Sequence, residues 1–447
     1  MKLLSRFVTG DRRAIPLRIV LKGVADAGGK AVTLVITAVA ARTLVSDAFG
    51  VLALAMVTGW LLGVATDSGL SMHLARETAR HRHRGRQLLV EVLRVRAGLA
   101  YVAATMIAFF TPQLVPPHWK MQFALVVLAQ ITAAVIETVA HYFRGLERSE
   151  IESGIHAAYR FATLVLALIV LWWWPRLDYL GAALLIPAVV ALLVSVTVAW
   201  RLSAPNDAAV AGAVLTPQVF LKDVLPLGLG VLLSALYFRV DLYFVERWHG
   251  LEAVGGYNAA FRLVEAMRLL PAAVMAVTFP LLVQTTDTRL VQRIGGALAI
   301  VGVALAGMCV LGSSLIVPLV YGRPFLYTAP AFAILSLALP LFFLNYALTH
   351  QVIGWDRHRS YLLIGIVALV VNVLANLALV PSQGINGAAI ATLLTEVVVT
   401  LGCLLTLVRQ GRSTRSFDAG VRHEGSNPRS ERTSRTPVPN PRAEPQS

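Results

Sequence analysis

Apolar residues in this chain do not recur at every third or fourth position, as they would on a helix buried along one stripe. They fill whole windows, and short polar breaks separate one window from the next. A window of about 20 apolar residues matches the length of helix that crosses a bilayer. Such windows run over 17–44, 48–72, 88–111, 121–143, 155–174 and 179–200, and then over 220–245, 254–283, 294–321, 326–353, 361–380 and 385–408. The pattern predicts an all-α polytopic membrane protein with about twelve transmembrane helices. Composition points the same way: 57% of residues are hydrophobic and 14% charged, where an ordinary globular domain carries about 25% charged residues. The stretch after the basic N-terminus is too long for a cleaved signal peptide and has no small-residue cleavage site, so it is expected to remain as the first span.

The net charge of +15 raises the question of nucleic acid, but in a polytopic chain it is explained by arginine-rich loops on one side of the membrane. With the N-terminus inside, Lys2, Arg6, Arg12 and Arg13, then Arg76, Arg80, Arg82, Arg84 and Arg86, then Arg144 and Arg148, and later Arg289, Arg293, Arg357 and Arg359 all fall on the cytoplasmic side. The opposite loops hold little more than Arg42, Lys120, Arg176, Arg247 and Arg323. Both termini are therefore expected in the cytoplasm of a cell inner membrane protein, with membrane lipids and not nucleic acid as the contact of the basic loops. Trp172, Trp173 and Trp174 close the fifth window as an interfacial belt. His73, His81 and His83 sit among arginines and read as solvated surface rather than metal ligands. Cys309 and Cys403, the two cysteines, exclude a disulfide framework and a cysteine zinc site. Residues 411–447, rich in Arg, Ser and Pro, are expected to form a disordered basic tail.

The two halves repeat. Arg42, Asp47 and Gly50 correspond to Arg247, Glu252 and Gly255 at an offset of 205; Gly145-Leu-Glu-Arg148 corresponds to Gly354-Trp-Asp-Arg357, and Gly181-Ala-Ala183 to Gly387-Ala-Ala389. Six spans per repeat keep both halves in the same orientation, so the expected architecture is two parallel six-helix lobes, 1–208 and 209–410, around a central cavity.

Charges inside spans are costly and mark function or pairing. Lys22, Asp26 and Lys30 share one stripe of the first span, and Gly23, Gly28 and Gly29 make that span the candidate for bending. In the eighth span Arg262, Glu265 and Arg268 spread over one face, followed by Pro271 and Pro280. Arg239 and Asp241 in the seventh span point to nearly opposite sides, so at most one faces a cavity. Glu137, Arg160 and Glu396 are further candidates, whereas Asn372 and Asn376 read as interhelical hydrogen bonding. The charges are not repeated between the halves, which fits an asymmetric cavity. Lys30, Arg262, Arg268, Arg239 and Lys22 are the candidate anion-binding residues, with Asp26, Glu265 and Asp241 as charge partners or carriers of a coupling proton or sodium ion. Purely structural pairing is the competing explanation.

Asp67-x-Gly69-Leu70 before an arginine-rich loop, Gly255-Gly-Tyr257-Asn-Ala-Ala-Phe-Arg262 running to Pro271 and Phe279-Pro280, and Asn376 followed by Gly384-Ile-Asn-Gly387-Ala-Ala-Ile390 occur in this order and spacing. In these motifs the chain resembles the lipid-linked oligosaccharide flippases, the polysaccharide-exporter branch of the multidrug/oligosaccharidyl-lipid/polysaccharide superfamily, over essentially 16–409. The resemblance implies lobes that rock about a cationic cavity and carry a polyprenyl-diphosphate-linked oligosaccharide from the inner to the outer leaflet, in company with other polysaccharide-assembly membrane proteins. It also implies that Asp67 and Gly69 are structural or gating residues. The alternatives are a cation-coupled multidrug exporter of the same superfamily and a membrane-embedded glycan polymerase or ligase. No nucleophile-base arrangement, Asp-x-Asp pair or dinucleotide loop is present, so a transporter without cofactor is expected rather than an enzyme.

Overall fold

A computed structural model describes residues 15–203, 215–284, 288–355 and 357–424, and every regular element among them is helical. Residues as far as Cys403 form one compact unit and those from Leu404 a second. In the first half of the chain the helices are α1 (Ile15–Thr43), α2 (Ser46–Asp67), α3 (Leu70–Arg80), α4 (Gly85–Leu114), α5 (Lys120–Gly145), α6 (Ser149–Trp173) and α7 (Leu177–Leu202). In the second half they are α8 (Leu225–Arg239), α9 (Asp241–Met267), α10 (Leu269–Gln284), α11 (Thr288–Tyr321), α12 (Ala329–Ser336), α13 (Leu339–Gly354) and α14 (His358–Glu424).

Among the described residues eight helical runs are long and apolar enough to cross a membrane, or nine when Arg323–Ser336 and Leu339–Gly354, bent by 43° against each other, are taken as one span. Two of the eight, Gly228–Met275 and Arg359–Val408, measure 48 and 50 residues, about twice a single crossing. Each is interrupted at one glycine in a backbone conformation that L side chains avoid: Gly250 at φ 75° and Gly384 at φ 56°. Both fall between predicted windows, which is where a chain reversing at the membrane surface needs them.

The helix of the eighth window is interrupted for one residue: α9 ends at Met267 and α10 starts at Leu269, a kink explained by the ring of Pro271 clashing with the carbonyl four residues earlier. Arg268 sits in the break. The tenth window breaks at Leu337 and Ala338, just before Pro340 removes a helix donor. The candidate for bending at Gly23 to Gly29 does not interrupt the helix, α1 being one run. Gly29 serves close approach instead: a Cβ there would lie 2.1 Å from the Arg160 guanidinium. Finally, α14 runs on to Glu424, so the start of the basic tail is helical. Extending a formed helix needs no new nucleus, and no proline follows Pro381 until Pro428; residues 425–447 lie outside the described residues.

The turn from apolar to basic sequence after α2 has a local explanation. Ser68 (φ 42°) and Gly69 (φ 88°) end α2 in the left-handed region, and the chain leaves as the short α3. Its Leu70 and Leu74 enter a core with Leu88, Val92, Val139, Tyr142 and Phe143, while Arg76 and Arg80 face outward. Gly69 cannot be replaced freely, because a Cβ there would stand 2.7 Å from the Val224 carbonyl oxygen. Across the same contact, a Cβ on Gly228 would lie 2.1 Å from the Ser68 backbone. Gly228→Ala is therefore expected to cost about 1–3 kcal/mol through forced backbone separation, read as a lower melting temperature of the purified protein; an unchanged melting temperature would show that this contact is loose.

At the other end of the bundle the halves also touch. The repeat-related Gly50 and Gly255 pack on one another, a Cβ on Gly255 reaching 3.3 Å from the Gly50 nitrogen, and Phe49 meets Phe325 edge-on at 5.4 Å. Arg42 Nε donates to the Val320 carbonyl at 2.9 Å and its Nη2 to that of Leu319. These carbonyls belong to the last turn of α11, where a cation satisfies groups without helical partners.

Candidate functional site

Three adjoining cavities lie between these two sets of contacts. The largest, about 620 Å³, is bounded mainly by apolar residues of the first half, among them Val32, Ile36, Met56 and Leu184, together with Ala272 and Ala273 of α10. The middle one, about 200 Å³, is lined by Thr33, Met56, Val57, Trp60 and Gln130 on one side and Phe238, Arg239, Arg262 and Glu265 on the other. The third, about 480 Å³, lies in the second half and holds Arg268, Asn345, Tyr346, Tyr361 and Glu396. Trp60 lines all three.

The charged residues of α8 and α9 converge on the middle cavity. Glu265 Oε2 accepts from Arg239 Nη2 at 3.1 Å and from Arg262 Nη1 at 2.8 Å, so one carboxylate oxygen serves two guanidiniums. Arg239, 3% exposed, also stacks over the Phe261 ring at 4.0 Å. Arg268 packs over Phe238 at 4.2 Å and Phe342 at 4.5 Å, and among the described residues no carboxylate pairs with it. Arg239 Nη1, Arg262 Nε and Arg268 Nε are buried without an acceptor. A buried N–H of a charged group left unpaired costs more than a neutral one. Planar guanidiniums also suit the oxygens of a phosphate or carboxylate. The arrangement can therefore accept an anion from the cavity.

Helix geometry separates Asp241 from this group. It is 1% exposed and lines none of the three cavities; its carboxylate accepts from the Tyr257 hydroxyl, from Thr392 Oγ1 at 3.3 Å and from its neighbour's backbone N–H at 2.8 Å. It thus ties α9 to α14. Asn376 and Asn372 hydrogen-bond at 2.9 Å, and Asn372 reaches Thr395 at 3.1 Å. Lys22, Asp26 and Lys30 lie on the backbone of α1, but their side chains are outside the described residues. Arg160 lines the largest cavity. Glu137 pairs with Arg144 at 2.6 Å, and the same guanidinium holds Glu152 at 2.5 Å.

Asp67 is not a cavity group either. It pairs at 2.5 Å with Arg96, which is 3% exposed and also donates to Thr138 and, at 3.1 Å, to the Gly63 carbonyl. This network pins α2, α4 and α5 together beside the Ser68-Gly69 turn. Reasoning from sequence missed Arg96, although an arginine inside the window 88–111 is the same signal that singled out Arg262. It also missed Asn345, which donates to Glu396 at 2.8 Å in the third cavity. His81 and His83 are exposed as expected, whereas His73 is half-buried, and burial lowers its pKa below the ordinary imidazole value.

Comparison with known proteins places this geometry. The probable flippase AglR of Haloferax volcanii is 32% identical over 184 residues, covering 38% of this chain and 37% of that protein, so the match spans little more than a third of the relative's length. Among solved structures, an inward-facing multidrug resistance MATE family transporter of the MOP superfamily superposes with a TM-score of 0.67 at 15% identity, over 86% of this chain and 96% of that one. The lipid II flippase MurJ in an inward closed conformation gives 0.63 at 14% identity, over 87% of each chain. A MOP superfamily transporter from Pyrococcus furiosus, described as having a binding pocket of reverse polarity, gives 0.58 at 17% identity, over 88% of this chain and 96% of its own. The family of polysaccharide biosynthesis proteins matches residues 21–286. That match takes in more than half of the sequence, and the chain accordingly belongs to the polysaccharide biosynthesis protein family, as a multi-pass membrane protein with the fold of the MOP superfamily transporters.

Proposed function

We propose that this protein is a flippase that moves a polyprenyl-diphosphate-linked oligosaccharide from the inner to the outer leaflet for surface polysaccharide export. Two six-helix lobes, 1–208 and 209–410, alternate access to the cavity between them, in twelve crossings with both termini in the cytoplasm. The observation that carries the reading is the arginine set: Arg239 and Arg262 line the middle cavity and Arg268 the third, with Glu265 and Glu396 as the described carboxylates beside them, and three of their N–H groups lack acceptors. Their spacing over two adjoining cavities suits a diphosphate better than a single carboxylate. Lys22 and Lys30 are proposed to add to this charge, with Asp26 as their partner on the same helix. A coupling proton or sodium ion would act at Asp241, beside the Tyr257 and Thr392 hydroxyl oxygens, and its binding there would change how α9 packs on α14.

The fold is shared with multidrug transporters, so a drug exporter is the rival. A site for lipophilic cations relies on acids and aromatic faces left free of basic residues, whereas here arginines already occupy the faces of Phe238, Phe261 and Phe342. The test is to delete the gene and weigh the extracted polyprenyl lipids. Accumulation of a sugar-bearing diphosphate lipid with loss of surface glycan supports the flippase; an unchanged lipid profile with greater drug sensitivity favours the exporter. Within the same reading, Glu265→Gln removes the carboxylate shared by two arginines. It is expected to tighten binding of a polyprenyl diphosphate by roughly tenfold and to slow turnover; weaker binding would mean that Glu265 orients the arginines more than it neutralises them.

A further inference from the structure

The three cavities differ in chemistry, and the difference assigns a part to the third. Resting on the flippase reading above, we propose that the saccharide of the cargo binds in the cavity of the second half, on a surface built from Tyr346, His350, Tyr361, Ser234, Asn345 and Glu396. The diphosphate then bridges from Arg268 toward the Arg239–Arg262 pair, and the apolar cavity of the first half takes no sugar.

Sugars are recognised by flat aromatic faces, against which the C–H side of the ring packs, and by convergent planar or hydroxyl groups that pair with its hydroxyls. The third cavity supplies both. Tyr346 and His350 stack with ring centroids 5.7 Å apart and only 15° between their planes, so two rings present parallel edges and faces along one wall. In the same cavity Ser234 donates to the Gly230 carbonyl at 3.0 Å and accepts from the Tyr361 hydroxyl at 2.9 Å, which leaves both oxygens lone pairs to accept from a sugar hydroxyl. Asn345, whose amide is held by Thr400 and by Glu396, fixes the Glu396 carboxylate at 2.8 Å in the cavity wall, where the remaining carboxylate lone pairs can accept from a sugar hydroxyl. Such a concentration of polar groups in a membrane-spanning region is costly unless water or a polar ligand meets it. Arg268 lines this same cavity, its guanidinium 5.7 Å from the Tyr346 ring centroid, so that a phosphate on Arg268 would bring its sugar beside Tyr346. By contrast, Val32, Ile36, Met56, Ala129, Ala133 and Leu184 dominate the first-half cavity. The polar side chains of that cavity, Thr33, Gln130, Tyr159, Arg160 and Thr163, are outnumbered by its apolar ones.

The proposal makes Tyr346 and Tyr361 determinants of glycan selectivity, separate from the arginines that hold the diphosphate. It is tested with the full-length purified chain and two probes: a polyprenyl diphosphate, and the same lipid carrying an N-acetylhexosamine. Wild-type protein is expected to bind the glycosylated probe more tightly. Tyr346→Ala is expected to reduce that preference, read as the ratio of the two affinities, by roughly tenfold, as loss of a built polar and stacking contact does. Tyr361→Phe, which removes one hydroxyl and leaves the ring, is expected to reduce it severalfold and keeps the test valid if the alanine variant fails to fold. A control, Ala133→Phe, partly fills the apolar cavity and is expected to leave the preference intact. If both lipids bind and neither tyrosine variant changes their ratio, the saccharide site is elsewhere and the flippase reading stands. If Ala133→Phe erases the preference instead, the sugar occupies the first-half cavity and the assignment is wrong. Binding of neither probe to wild-type protein would overturn the flippase reading and this inference together.

Discussion

Arg96→Ala is expected to remove most folded protein from the membrane fraction. The guanidinium is 3% exposed and meets Asp67, Thr138 and the Gly63 carbonyl, so its loss strips a half-buried carboxylate of its counter-charge between three helices. Breaking one partner of a buried ion pair costs about 3–5 kcal/mol, much of it the cost of the charge left behind. The double variant Arg96→Ala, Asp67→Ala is expected to recover part of this, because no charge is then stranded. The measurement is the melting temperature and monodispersity of each variant purified in detergent. A single variant as stable as wild type, or a double variant no better than the single, would show that Asp67 is not held by Arg96.

Arg268→Ala is expected to do the opposite: transport lost, stability kept. Arg268 has no carboxylate partner among the described residues, and its contacts are the faces of Phe238, Phe342 and Tyr346. Removing it breaks no ion pair among the described residues, and the nearby Glu396 keeps its hydrogen bond from Asn345, while a charge-assisted contact to a phosphate, worth about 1.5–3 kcal/mol, disappears. Export of the lipid-linked glycan by cells carrying the variant is therefore expected to fall by roughly tenfold to a hundredfold, at wild-type protein levels. Arg262→Ala is expected to give a smaller loss, since Arg239 still pairs with Glu265 nearby. Full export by Arg268→Ala would mean that the unpaired guanidinium does not touch the cargo.

The contrast between these two arginines shows where the sequence was legible. Windows of apolar residues predicted an all-helical membrane chain, and the breaks at Gly250 and Gly384 fall between those windows, because span length is a local property. Arg262 and Arg268 stood out by the cost of charge in a window, which is also local. The partner of Asp67 did not, since Arg96 is 29 residues away and only the packing of α4 against α2 brings them together. Similarly, Arg239 and Asp241 were expected on opposite faces from the helical turn alone, but which of them meets the cavity depends on how α9 and α14 pack. The break at Arg268 follows from Pro271 and a four-residue count, yet whether that proline bends the helix or ends it is decided by neighbours. The third cavity was invisible along the chain because Ser234, Asn345, Tyr361 and Glu396 come from α8, α13 and α14, and of these only Glu396 stands out in its own helix.

The central claim is that the cavity between the halves is an anion site for a diphosphate lipid. It is tested most directly by measuring saturable binding of a polyprenyl diphosphate to the purified protein, with a lipophilic cation such as tetraphenylphosphonium as competitor and Arg268→Ala alongside. The account predicts that the diphosphate binds wild-type protein, that Arg268→Ala loses this binding, and that the cation does not compete. Binding of the cation with none of the diphosphate, or displacement of one by the other at similar affinity, would contradict it and favour drug export.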